Sequence, residues 1–580
     1  MSEISTARLE RGSTTALKWE QEADVVVFGS GAAGLSAALF AAKQGLKVLV
    51  FEKSEKLGGT TALSNGMIWI PCSAQAIAAK VKDNLDDART YLKNELGDYY
   101  RADYIDALLE DGPKAVSALE KDTDVKFSLA SAPDYHSSQV GGVDTGRALS
   151  PAPYDGRLLK DDFTLIGDPI RVVLGGMMIS SSEVGKFLNP VQSGSAMKHV
   201  LKRVSRYVAD RTKFPRGTEL SGGNALIARL LTSLRKRGVP IETNASLVDV
   251  VRDDAGTVIG AKVKQRAAIR NVRAKRGVVL ATGGFARSGQ LRQELSGAHQ
   301  HDYTLSHPDA TGDGISAARR AGANVDTEGA SAGFWTPISL LNDGKGGVKT
   351  IPYGWLDRGR PGVIAVGPTG KRFVNESNSY HDICLALFEN GYPKDKRFYF
   401  ICDASFIKKR GMGQLLPWPW TFSPKKFEKL GYLQSGRSIR ELASKIGLDP
   451  ATVEATVSEH NRHAETGVDP YFKRGESAFN RMLGDPSVGK KNPNLGRIEN
   501  GPFYALQIVP ATLGTSSGLA ANTNGQVLDG DGKAIEGLYA CGNDMTSPMR
   551  GIYPGAGITI GPGITFAYRV VEHIKQTVGK

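Results

Sequence analysis

The hydrophobic positions near the start of the chain fall into two short apolar runs, residues 24–28 and 47–51, on either side of an alanine-rich stretch at 35–44. The first run leads into a Gly-x-Gly-x-x-Gly turn formed by Gly29, Gly31 and Gly34. The second run ends on an acid, Glu52. This succession predicts strand, glycine turn, helix, strand and acid, which is the first unit of a dinucleotide-binding fold.

Each part of this pattern has a role in holding a nucleotide. Gly29 permits the tight turn, Gly31 lets a pyrophosphate approach the start of the helix, and Gly34 lets helix and strand pack closely. Glu52 lies where a carboxylate can accept hydrogen bonds from an adenosine ribose. A second glycine and hydroxyl cluster over 53–64 suits the far side of a long cofactor, which favours FAD over NAD. The competing interpretation is a glycine turn in some other α/β domain.

Farther along, the hydrophobic spacing predicts helices over 85–119 and 222–238 and alternating strands over 240–263. A buried strand then runs into a glycine turn at 277–284, and the motif Thr-Gly-Asp-Gly at 311–314 opens another helix. Both glycine segments fit places where a dinucleotide-type sheet meets its cofactor.

Two regions lack these strand and glycine-turn patterns. The region 130–176 is rich in glycine and proline beside polar and aromatic residues, which fits pocket-lining loops and equally fits surface connections. The segment 182–216 is strongly basic, with apolar residues at helical spacing. It predicts a basic amphipathic helix, ordinarily a solvated face and alternatively a contact with a membrane surface.

The expected domain organisation follows from a change in residue composition along the chain. Aromatic residues, prolines and short strands dominate 334–510, and nucleotide-type glycine signals resume only at 538–543. We therefore expect an α/β fold with a Rossmann-like FAD-binding domain over 20–335 and 510–580. An inserted α+β catalytic or capping domain is expected over 336–509.

Composition narrows the class of protein. The 580 residues are 41% hydrophobic and 23% charged, as in ordinary globular proteins, and 73 basic against 60 acidic residues give a net charge of +13. No nucleic-acid motif accompanies that charge.

No apolar run reaches the length of a membrane span, and the N-terminal segment lacks the apolar core of a signal peptide, so we expect a cytoplasmic protein. The four cysteines have no Cys-x-x-Cys spacing, and no metal site is predicted.

Candidate chemistry is concentrated near the C-terminus, at 551–563. This stretch places one phenol, Tyr553, among many unencumbered backbone amides. That combination suits the binding of a carbonyl oxygen and of the edge of a flat cofactor.

Taken together, these motifs resemble the flavoprotein superfamily of fumarate reductase and succinate dehydrogenase. Within it, the sequence is most similar to the 3-ketosteroid Δ1-dehydrogenases. The superfamily motifs are Gly29-Ser30-Gly31-Ala32-Ala33-Gly34, Gly58-Gly59-Thr60-Thr61-Ala62, Ala281-Thr282-Gly283-Gly284, Thr311-Gly312-Asp313-Gly314, Arg372-Phe373-Val374-Asn375-Glu376 and Gly542-Asn543. The narrower match rests on Trp69-Ile70-Pro71, Arg358-Gly359-Arg360-Pro361-Gly362 and Tyr553-Pro554-Gly555-Ala556-Gly557.

Departures from the superfamily pattern carry information too. Members with covalent flavin have a histidine in the loop after the first glycines, whereas here the first histidine is His136, so we expect non-covalent FAD. Fumarate reductases usually have an acid after the late glycine, whereas this chain has Asn543. The asparagine agrees with the ketosteroid branch.

The resemblance implies roles for four residues in removing hydrogen from C1 and C2 of a 3-ketosteroid. The Tyr553 hydroxyl and the Gly557 N–H would bind the C3 oxygen, Tyr380 would take the C2 proton, and flavin N5 would accept the hydride from C1. Tyr135 is the candidate partner phenol for Tyr380, and Tyr154 is its rival.

The expected cofactor contacts form a longer set. They are Gly29, Gly31, Ala33, Gly34, Glu52, Lys53, Gly59, Thr60, Thr61, Ser64, Gly66, Val248, Ala281, Thr282, Gly283, Asp313, Gly542, Asn543, Gly557, Ile558 and Thr559.

A steroid requires an apolar pocket, and one aromatic segment suits either its mouth or an interfacial loop at a membrane. The residues concerned are Trp355, Leu415, Leu416, Pro417, Trp418, Trp420 and Phe422, with Lys425 and Lys426 next to them. The expected partners are the steroid, an external quinone-like electron acceptor and, through this segment, the membrane periphery.

Two alternatives remain open at the level of sequence. One is a fumarate reductase-like flavin ene-reductase or dehydrogenase of a small carboxylate, with Arg358 or Arg360 as clamp or proton donor. The other is a non-catalytic flavin electron carrier.

Overall fold

The structure is a computed structural model that describes residues 17–169, 175–180, 183–188, 190–297, 303–353, 357–390, 397–418, 420–421, 423–488 and 491–577. The α-helices in chain order are α1 Ala32–Lys43, α2 Gly59–Leu63, α3 Ala74–Ala78, α4 Leu85–Leu96, α5 Ala102–Glu120, α6 Val184–Leu188, α7 Gly194–Asp210, α8 Gly222–Arg235, α9 Gly289–Leu295, α10 Asp313–Arg320, α11 Tyr380–Glu389, α12 Ala404–Arg410, α13 Lys425–Lys429, α14 Ile439–Lys445, α15 Pro450–Thr466, α16 Ala478–Leu483 and α17 Ile560–Gln576.

The strands in chain order are β1 Gln21–Phe28, β2 Val48–Phe51, β3 Ile68–Trp69, β4 Phe127–Leu129, β5 Ala148–Pro151, β6 Tyr154–Asp155, β7 Glu219–Leu220, β8 Ile241–Glu242, β9 Ala245–Arg252, β10 Val258–Gln265, β11 Ala268–Leu280, β12 Val325–Asp326, β13 Gly333–Asn342, β14 Val348–Pro352, β15 Val363–Val366, β16 Phe398–Asp403, β17 Leu433–Gly436, β18 Phe503–Thr515, β19 Gly518–Leu519, β20 Gln526–Leu528 and β21 Ala534–Ala540. Short 3₁₀ helices occupy Gly97–Tyr99, Gly156–Leu165, Pro190–Gln192, Pro486–Val488 and Gly542–Asp544.

The larger sheet is built around β1 and has the strand order β20-β21-β11-β1-β2-β8. β1 pairs in parallel with β2 and β11, and β11 pairs in parallel with β21. The apolar run of β1 is buried at the centre of this sheet, and helices α1, α8 and α17 pack together beside it. The C-terminal elements β21 and α17 therefore complete a unit that begins with β1, as the glycine signals predict.

A second sheet, entirely antiparallel, has the order β14-β13-β18-β16-β15, with β17 also paired to β18. It has its own apolar clusters, including Phe398, Phe400 and Leu442. All of its strands lie between residues 333 and 515, the stretch in which the sequence texture changes.

The helix expected over 85–119 is two helices, α4 and α5, separated by a 3₁₀ turn at Gly97–Tyr99. The break falls at Gly97, whose φ of +50° lies in the region that favours glycine. The two helices pack against each other and enclose Tyr91, Leu92 and Ile105. The apolar spacing therefore predicted helical structure here and missed the turn.

The basic segment contains α6 and α7 and packs on a small apolar cluster of Met177, Phe187 and Val200. Part of its charge is neutralised, since Arg203 contacts Glu183 and Glu219. Lys198 and Lys202 stay exposed on α7. In the described part of the chain, no helix is long and apolar enough to cross a membrane.

Candidate active site

The turn between β1 and α1 has two kinds of glycine. A Cβ on Gly29 would lie 2.1 Å from the Ala281 carbonyl oxygen, and a Cβ on Gly34 would lie 2.1 Å from the Gly29 carbonyl oxygen. Packing within the protein therefore requires these two glycines. A Cβ on Gly31 would meet only Thr61 Oγ1, at 3.6 Å, so Gly31 faces open space.

Two more glycines border the same open crevice. Gly59 and Gly283 have φ of +46° and +94°, yet a Cβ on Gly59 would meet nothing within 4 Å and one on Gly283 only the Ala310 Cβ, at 4.0 Å. Gly31 and Gly283 follow the carboxyl ends of β1 and β11, where nucleotide cofactors bind in such sheets. The residues present thus leave room for an elongated cofactor to contact the backbone, and they fit FAD.

Glu52 is held at the end of β2 with its carboxylate fixed. The carboxylate accepts hydrogen bonds from Ser30 N at 2.9 Å, Ser30 Oγ at 2.5 Å and Ser54 N at 2.8 Å, and the residue is 7% exposed. Next to it, Lys53 Nζ lies 2.9 Å from an Asp313 carboxylate oxygen. The predicted acid and the Thr-Gly-Asp-Gly motif therefore lie on the same side of the crevice.

The hydroxyl cluster after β2 reaches both sides of the crevice. Thr61 Oγ1 accepts a hydrogen bond from Ala32 N at 3.1 Å, and Thr60 Oγ1 accepts one from His307 N at 3.0 Å. Ser64 Oγ accepts one from Gly66 N at 2.9 Å. Val248 lies on β9, and its carbonyl oxygen accepts a hydrogen bond from Arg320 at 2.6 Å.

A buried carboxylate that the sequence analysis did not single out joins the two glycine signals. Asp544 accepts hydrogen bonds from Thr282 N and Gly284 N, at 2.5 and 2.9 Å, and its burial raises its pKa. Beside it, Asn543 accepts a hydrogen bond from Thr515 Oγ1 at 3.4 Å, and Gly542 adjoins Ala33. The Gly-Asn motif was the available signal, but it did not show that the following residue points inward.

The amino end of α17 presents unengaged backbone donors. Among the described residues, no backbone carbonyl accepts a hydrogen bond from the N–H groups of Gly557, Ile558 and Thr559. Gly557 has φ of +98° and packs against the Ile68 backbone, so its conformation favours glycine. A helix amino end with free N–H groups is suited to hold an oxygen that carries negative charge.

Three buried tyrosines from distant parts of the chain meet next to this turn. The Tyr135 hydroxyl donates a hydrogen bond to the Tyr380 hydroxyl at 3.0 Å. The Tyr553 ring stacks on Tyr135 at 5.6 Å between centroids and meets Tyr380 edge-on at 5.2 Å. The rings of Phe334 and Phe479 complete the cluster.

Tyr154, the rival of Tyr135, lies elsewhere. Its hydroxyl pairs with Thr232 Oγ1 at 2.8 Å, and its ring packs in the core of the larger sheet. The structure therefore places Tyr135, and not Tyr154, against Tyr380.

Local structure fixes each tyrosine. Tyr380 is the first residue of α11, whose cap is the Ser379 hydroxyl accepting from the Asp382 N–H at 3.1 Å. The Pro554 carbonyl, next to Tyr553, accepts from Tyr135 N at 2.9 Å. The backbone thus ties two of the phenols to each other directly.

The phenols of this cluster are shielded from water, and this burial shifts their pKa values. Burial raises the pKa of Tyr135 and of Tyr380 well above 10, and it raises the pKa of Tyr553 as well. Arg358 is fully buried nearby and donates to the carbonyls of Glu376 and Asn378, in the segment that leads to Tyr380. Its charge interacts favourably with the ionised forms of Tyr135 and Tyr380.

The aromatic segment after α12 is partly on the surface. Leu416, Trp418 and Trp420 are 44%, 57% and 46% exposed, whereas Leu415 is buried. Trp355 and Phe422 lie outside the described residues.

The crevice and the fold define a flavoprotein, and comparison with known proteins agrees. Residues 24–560 match the family described as FAD binding domain, so the chain belongs to that family and its cofactor is FAD.

The relatives narrow the family further. The chain is 37% identical to the 4-oxocyclohex-2-ene-1-carboxylate 5-dehydrogenase of Sinomonas cyclohexanicum, over 95% of this chain and 94% of that protein. It is 36% identical to the 3-oxosteroid 1-dehydrogenase of Mycolicibacterium smegmatis, over 96% and 98%. The crystal structure of 3-ketosteroid delta1-dehydrogenase from Sterolibacterium denitrificans, in complex with 1,4-androstadiene-3,17-dione, has a TM-score of 0.88, 32% identity and coverage of 96% and 100%. The chain is thus a member of the 3-ketosteroid Δ1-dehydrogenase family, a group of FAD-dependent oxidoreductases.

Proposed function

We propose that this protein dehydrogenates 3-ketosteroids between C1 and C2, converting a 4-en-3-one into a 1,4-dien-3-one. The observation that carries the proposal is the buried contact of Tyr135, Tyr380 and Tyr553, the last of which stands in the same turn as Gly557, whose N–H donates to no described backbone carbonyl. The relatives named as 3-oxosteroid 1-dehydrogenases support the same reaction.

In this proposal Tyr553 and Gly557 hold the C3 carbonyl oxygen. Burial raises the pKa of Tyr553, so its phenol stays protonated and donates to the oxygen. As the C2 proton leaves, negative charge develops on that oxygen and strengthens both hydrogen bonds. The two donors come from one short turn, which fixes their spacing.

Tyr380 takes the C2 proton, and the Tyr135 hydroxyl stabilises the Tyr380 phenolate by hydrogen bonding. Burial alone disfavours a phenolate here, so the reaction needs compensating positive charge. The buried guanidinium of Arg358, which is bonded to the Glu376 carbonyl before Tyr380, provides this positive charge.

Bound FAD supplies the hydride acceptor for C1. We propose that residues 20–335 and 510–580 form the FAD-binding domain and that 336–509 form the catalytic domain. Tyr135 and Tyr553 would then come from the first and Tyr380 from the second, with substrate bound between them.

Anaerobic titration of the FAD-loaded protein tests the reaction. We expect 4-androstene-3,17-dione to bleach the flavin absorbance, and no bleaching with any ketone would contradict a dehydrogenase. A parallel titration with 4-oxocyclohex-2-ene-1-carboxylate is needed because one relative is named for that ketone. Faster reduction by it than by the steroid would overturn the steroid assignment and leave ketone dehydrogenation in place.

The two earlier alternatives have their own tests. Turnover of succinate or fumarate without ketone dehydrogenation would favour the small-carboxylate enzyme. Tyr380→Phe distinguishes an enzyme from an electron carrier. An enzyme would lose ketone oxidation and retain FAD, whereas the electron transfer of a carrier would not change.

The reduced flavin must pass on two electrons, and we propose a quinone-like external acceptor. Mixing the anaerobically reduced protein with a short-chain ubiquinone is expected to restore the flavin absorbance. Reoxidation no faster than with buffer alone would contradict this part of the proposal.

We also propose that the exposed aromatic segment contacts the membrane periphery. Leu416, Trp418 and Trp420 are exposed, and Lys425 and Lys426 are exposed nearby, a combination that suits an anionic lipid surface. Cosedimentation with phosphatidylcholine vesicles should require added phosphatidylglycerol.

The double variant Trp418→Ser/Trp420→Ser should lose that cosedimentation. Tyr471→Ser serves as the matched control, since Tyr471 is also exposed but lies outside the segment. Equal binding by wild type and the double variant would contradict the contact.

A further inference from the structure

His136 adjoins Tyr135 and lies between two carboxylates from different helices. Its Nδ1 is 2.8 Å from a Glu95 oxygen on α4, and its Nε2 is 2.8 Å from an Asp382 oxygen on α11. Glu95 is almost fully buried, and Asp382 lies two residues after Tyr380 in the first turn of α11. The histidine therefore connects the segment of one phenol to the helix of another.

Both ring nitrogens face a carboxylate oxygen, and both can donate only when the imidazole is protonated. Burial by itself lowers the pKa of His136, but Asp382 and Glu95 outweigh burial and raise it to about 11. His136 is therefore an imidazolium at neutral pH. The same pairing holds the pKa of Asp382 below its usual range despite burial.

The segment that carries Tyr135 needs such a connection. Residues 130–147, between β4 and β5, contain no helix or strand. Asp134 ties the segment to Trp69 Nε1 and Arg147, and Tyr135 N ties it to Pro554. These contacts fix the segment to β3 and to the Tyr553 turn, not to α11.

We infer that His136 is a positioning residue: its ion pair with Asp382 holds the Tyr135 hydroxyl within hydrogen-bond distance of Tyr380. The inference rests on the proposed roles of those two tyrosines. His136 touches neither ketone nor flavin in this account, and it acts only through Tyr135. If the pair is broken, the two hydroxyl groups separate and the Tyr380 phenolate loses a donor.

The other charged and titratable groups around the tyrosine pair set the background for a test. Tyr135 interacts electrostatically with Arg358, Asp382 and Tyr553, and Tyr380 interacts with Arg358 and Tyr553. His381 follows Tyr380 and packs against the Tyr553 ring. A substitution at His136 removes the ion pair with Asp382 and leaves the chemical identity of the other groups unchanged.

Steady-state kinetics of His136→Gln and Asp382→Asn test the inference in the FAD-loaded enzyme. Each is expected to lower kcat about 10- to 100-fold, the scale for a small misplacement of a reacting group. KM and FAD content should stay close to wild type, because neither residue contacts ketone or cofactor. The rise of kcat with pH should shift to higher pH in His136→Gln, since Tyr380 becomes a weaker acid. Asp382→Asn also removes a carboxylate that raises the pKa of Tyr135, so its pH profile should shift less. His573→Gln, which removes a histidine–tyrosine hydrogen bond of 3.1 Å far from the site, should leave kcat and its pH profile unchanged.

A second background distinguishes positioning from general destabilisation. In Tyr135→Phe the partner hydroxyl is already gone, so adding His136→Gln should lower kcat no further. A further large loss in that double variant, or an unshifted pH profile in His136→Gln, would overturn the inference. Should His136→Gln fail to fold, Asp382→Asn with and without Tyr135→Phe carries the same comparison. Wild type that oxidises no ketone would instead contradict the proposed function.

Discussion

At the residue scale, the three phenols of the site are buried alike but have different partners. Tyr553 stands four residues before Gly557 in the turn that leads into α17. Tyr135 is bonded to Tyr380, and Tyr380 also shares a side-chain hydrogen bond with Tyr553. Burial raises the pKa of all three, so the partners decide which phenol donates and which accepts a proton. Tyr553 is thereby suited to hold an oxygen and Tyr380 to take a proton.

Removing the Tyr553 hydroxyl tests this assignment. Tyr553→Phe is expected to lower kcat about 100- to 1,000-fold, the usual effect of losing one donor to a developing oxyanion. Flavin content and thermal stability should change little, because the ring packing is kept. Tyr539→Phe, which also removes a buried hydroxyl but lies beside His573, should keep full turnover. Equal activity of the two variants would remove Tyr553 from the mechanism.

Glu52 supports a second prediction at this scale. Its fixed carboxylate already accepts from Ser30 and Ser54, at the end of β2 where a ribose is expected. Glu52→Gln should weaken FAD binding about 10- to 100-fold, since a hydrogen bond to a charged group contributes about 1.5–3 kcal/mol. Fluorescence titration of the apoprotein measures this. Glu454→Gln, on the surface of α15, is the control, and equal affinity in both variants would contradict the role of Glu52.

The sequence predicted these residues to different degrees. Tyr380 and Tyr553 stand in recognisable motifs, and Tyr135 was one of two candidates. His136 and Asp382 were not predicted, because they are separated by 246 positions and only the tertiary fold pairs them. Asp544 was missed for a related reason, since its burial against Thr282 depends on the parallel pairing of β11 and β21.

At the element scale, the β1–α1 turn contains glycines required for two separate reasons. Gly29 is required by packing against the Ala281 carbonyl, whereas Gly31 keeps the crevice open. The sequence motif shows only that both are glycine. The structure shows which of them the protein itself needs in order to fold.

Gly29→Ala and Gly31→Ala should therefore differ. Gly29→Ala is expected to destabilise the fold by about 3 kcal/mol or more, because strain at φ of +105° adds to a 2.1 Å contact. Gly31→Ala should fold with a near-native melting temperature as apoprotein and bind FAD about tenfold or more weakly, which corresponds to about 1.4 kcal/mol. Thermal unfolding without FAD and FAD titration separate the two. A destabilised Gly31→Ala with normal FAD affinity would contradict this interpretation.

The elements of the larger sheet were predictable because their apolar runs are local and end in glycine turns. The helix pair α4 and α5 was predicted as one helix, since a glycine in a continuous apolar repeat does not by itself reveal a turn. Gly97 adopts a positive φ there, which a helix interior does not allow.

At the scale of the whole molecule, the second sheet depends on pairing between strands far apart in sequence. β13 pairs with β18 in antiparallel fashion from Gly333 with Thr515 to Ile338 with Val509, with one register shift between Phe334 and Trp335. A change in texture indicated an inserted region, but nothing local specifies which strands pair. α11 packs against β13 of this sheet, and Tyr380 shares a buried cluster with Phe334 and Tyr553.

Buried charges connect this sheet to the site. Glu376, four residues before Tyr380, is fully buried and accepts from Arg372 at 2.7 Å and from Arg474 at 3.1 Å. Arg372 also pairs with Asp469 at 2.8 Å. The segment leading to Tyr380 is therefore held by ion pairs whose strength depends on pH.

The last prediction concerns acid stability. Burial opposes ionisation of Glu376, but Arg372 and Arg474 lower its pKa from 4.5 to about 2. The folded state thus binds this proton less readily than the unfolded state, so the stabilisation is present above pH 4.5 and is lost as pH falls toward 2. Glu376→Gln should cost about 3–5 kcal/mol at pH 7, because it leaves buried guanidinium groups without their carboxylate.

The melting temperature of wild type and Glu376→Gln between pH 7 and pH 2 checks this prediction. The difference between them should be largest at neutral pH and shrink toward pH 2, because the wild-type carboxyl is then protonated as well. His136 acts in the opposite direction: its folded pKa of about 11 lies above its ordinary 6.5, so its contribution is complete below pH 6.5 and is lost toward pH 11. A difference between the two proteins that does not change with pH would show that the Glu376 charge contributes nothing to stability.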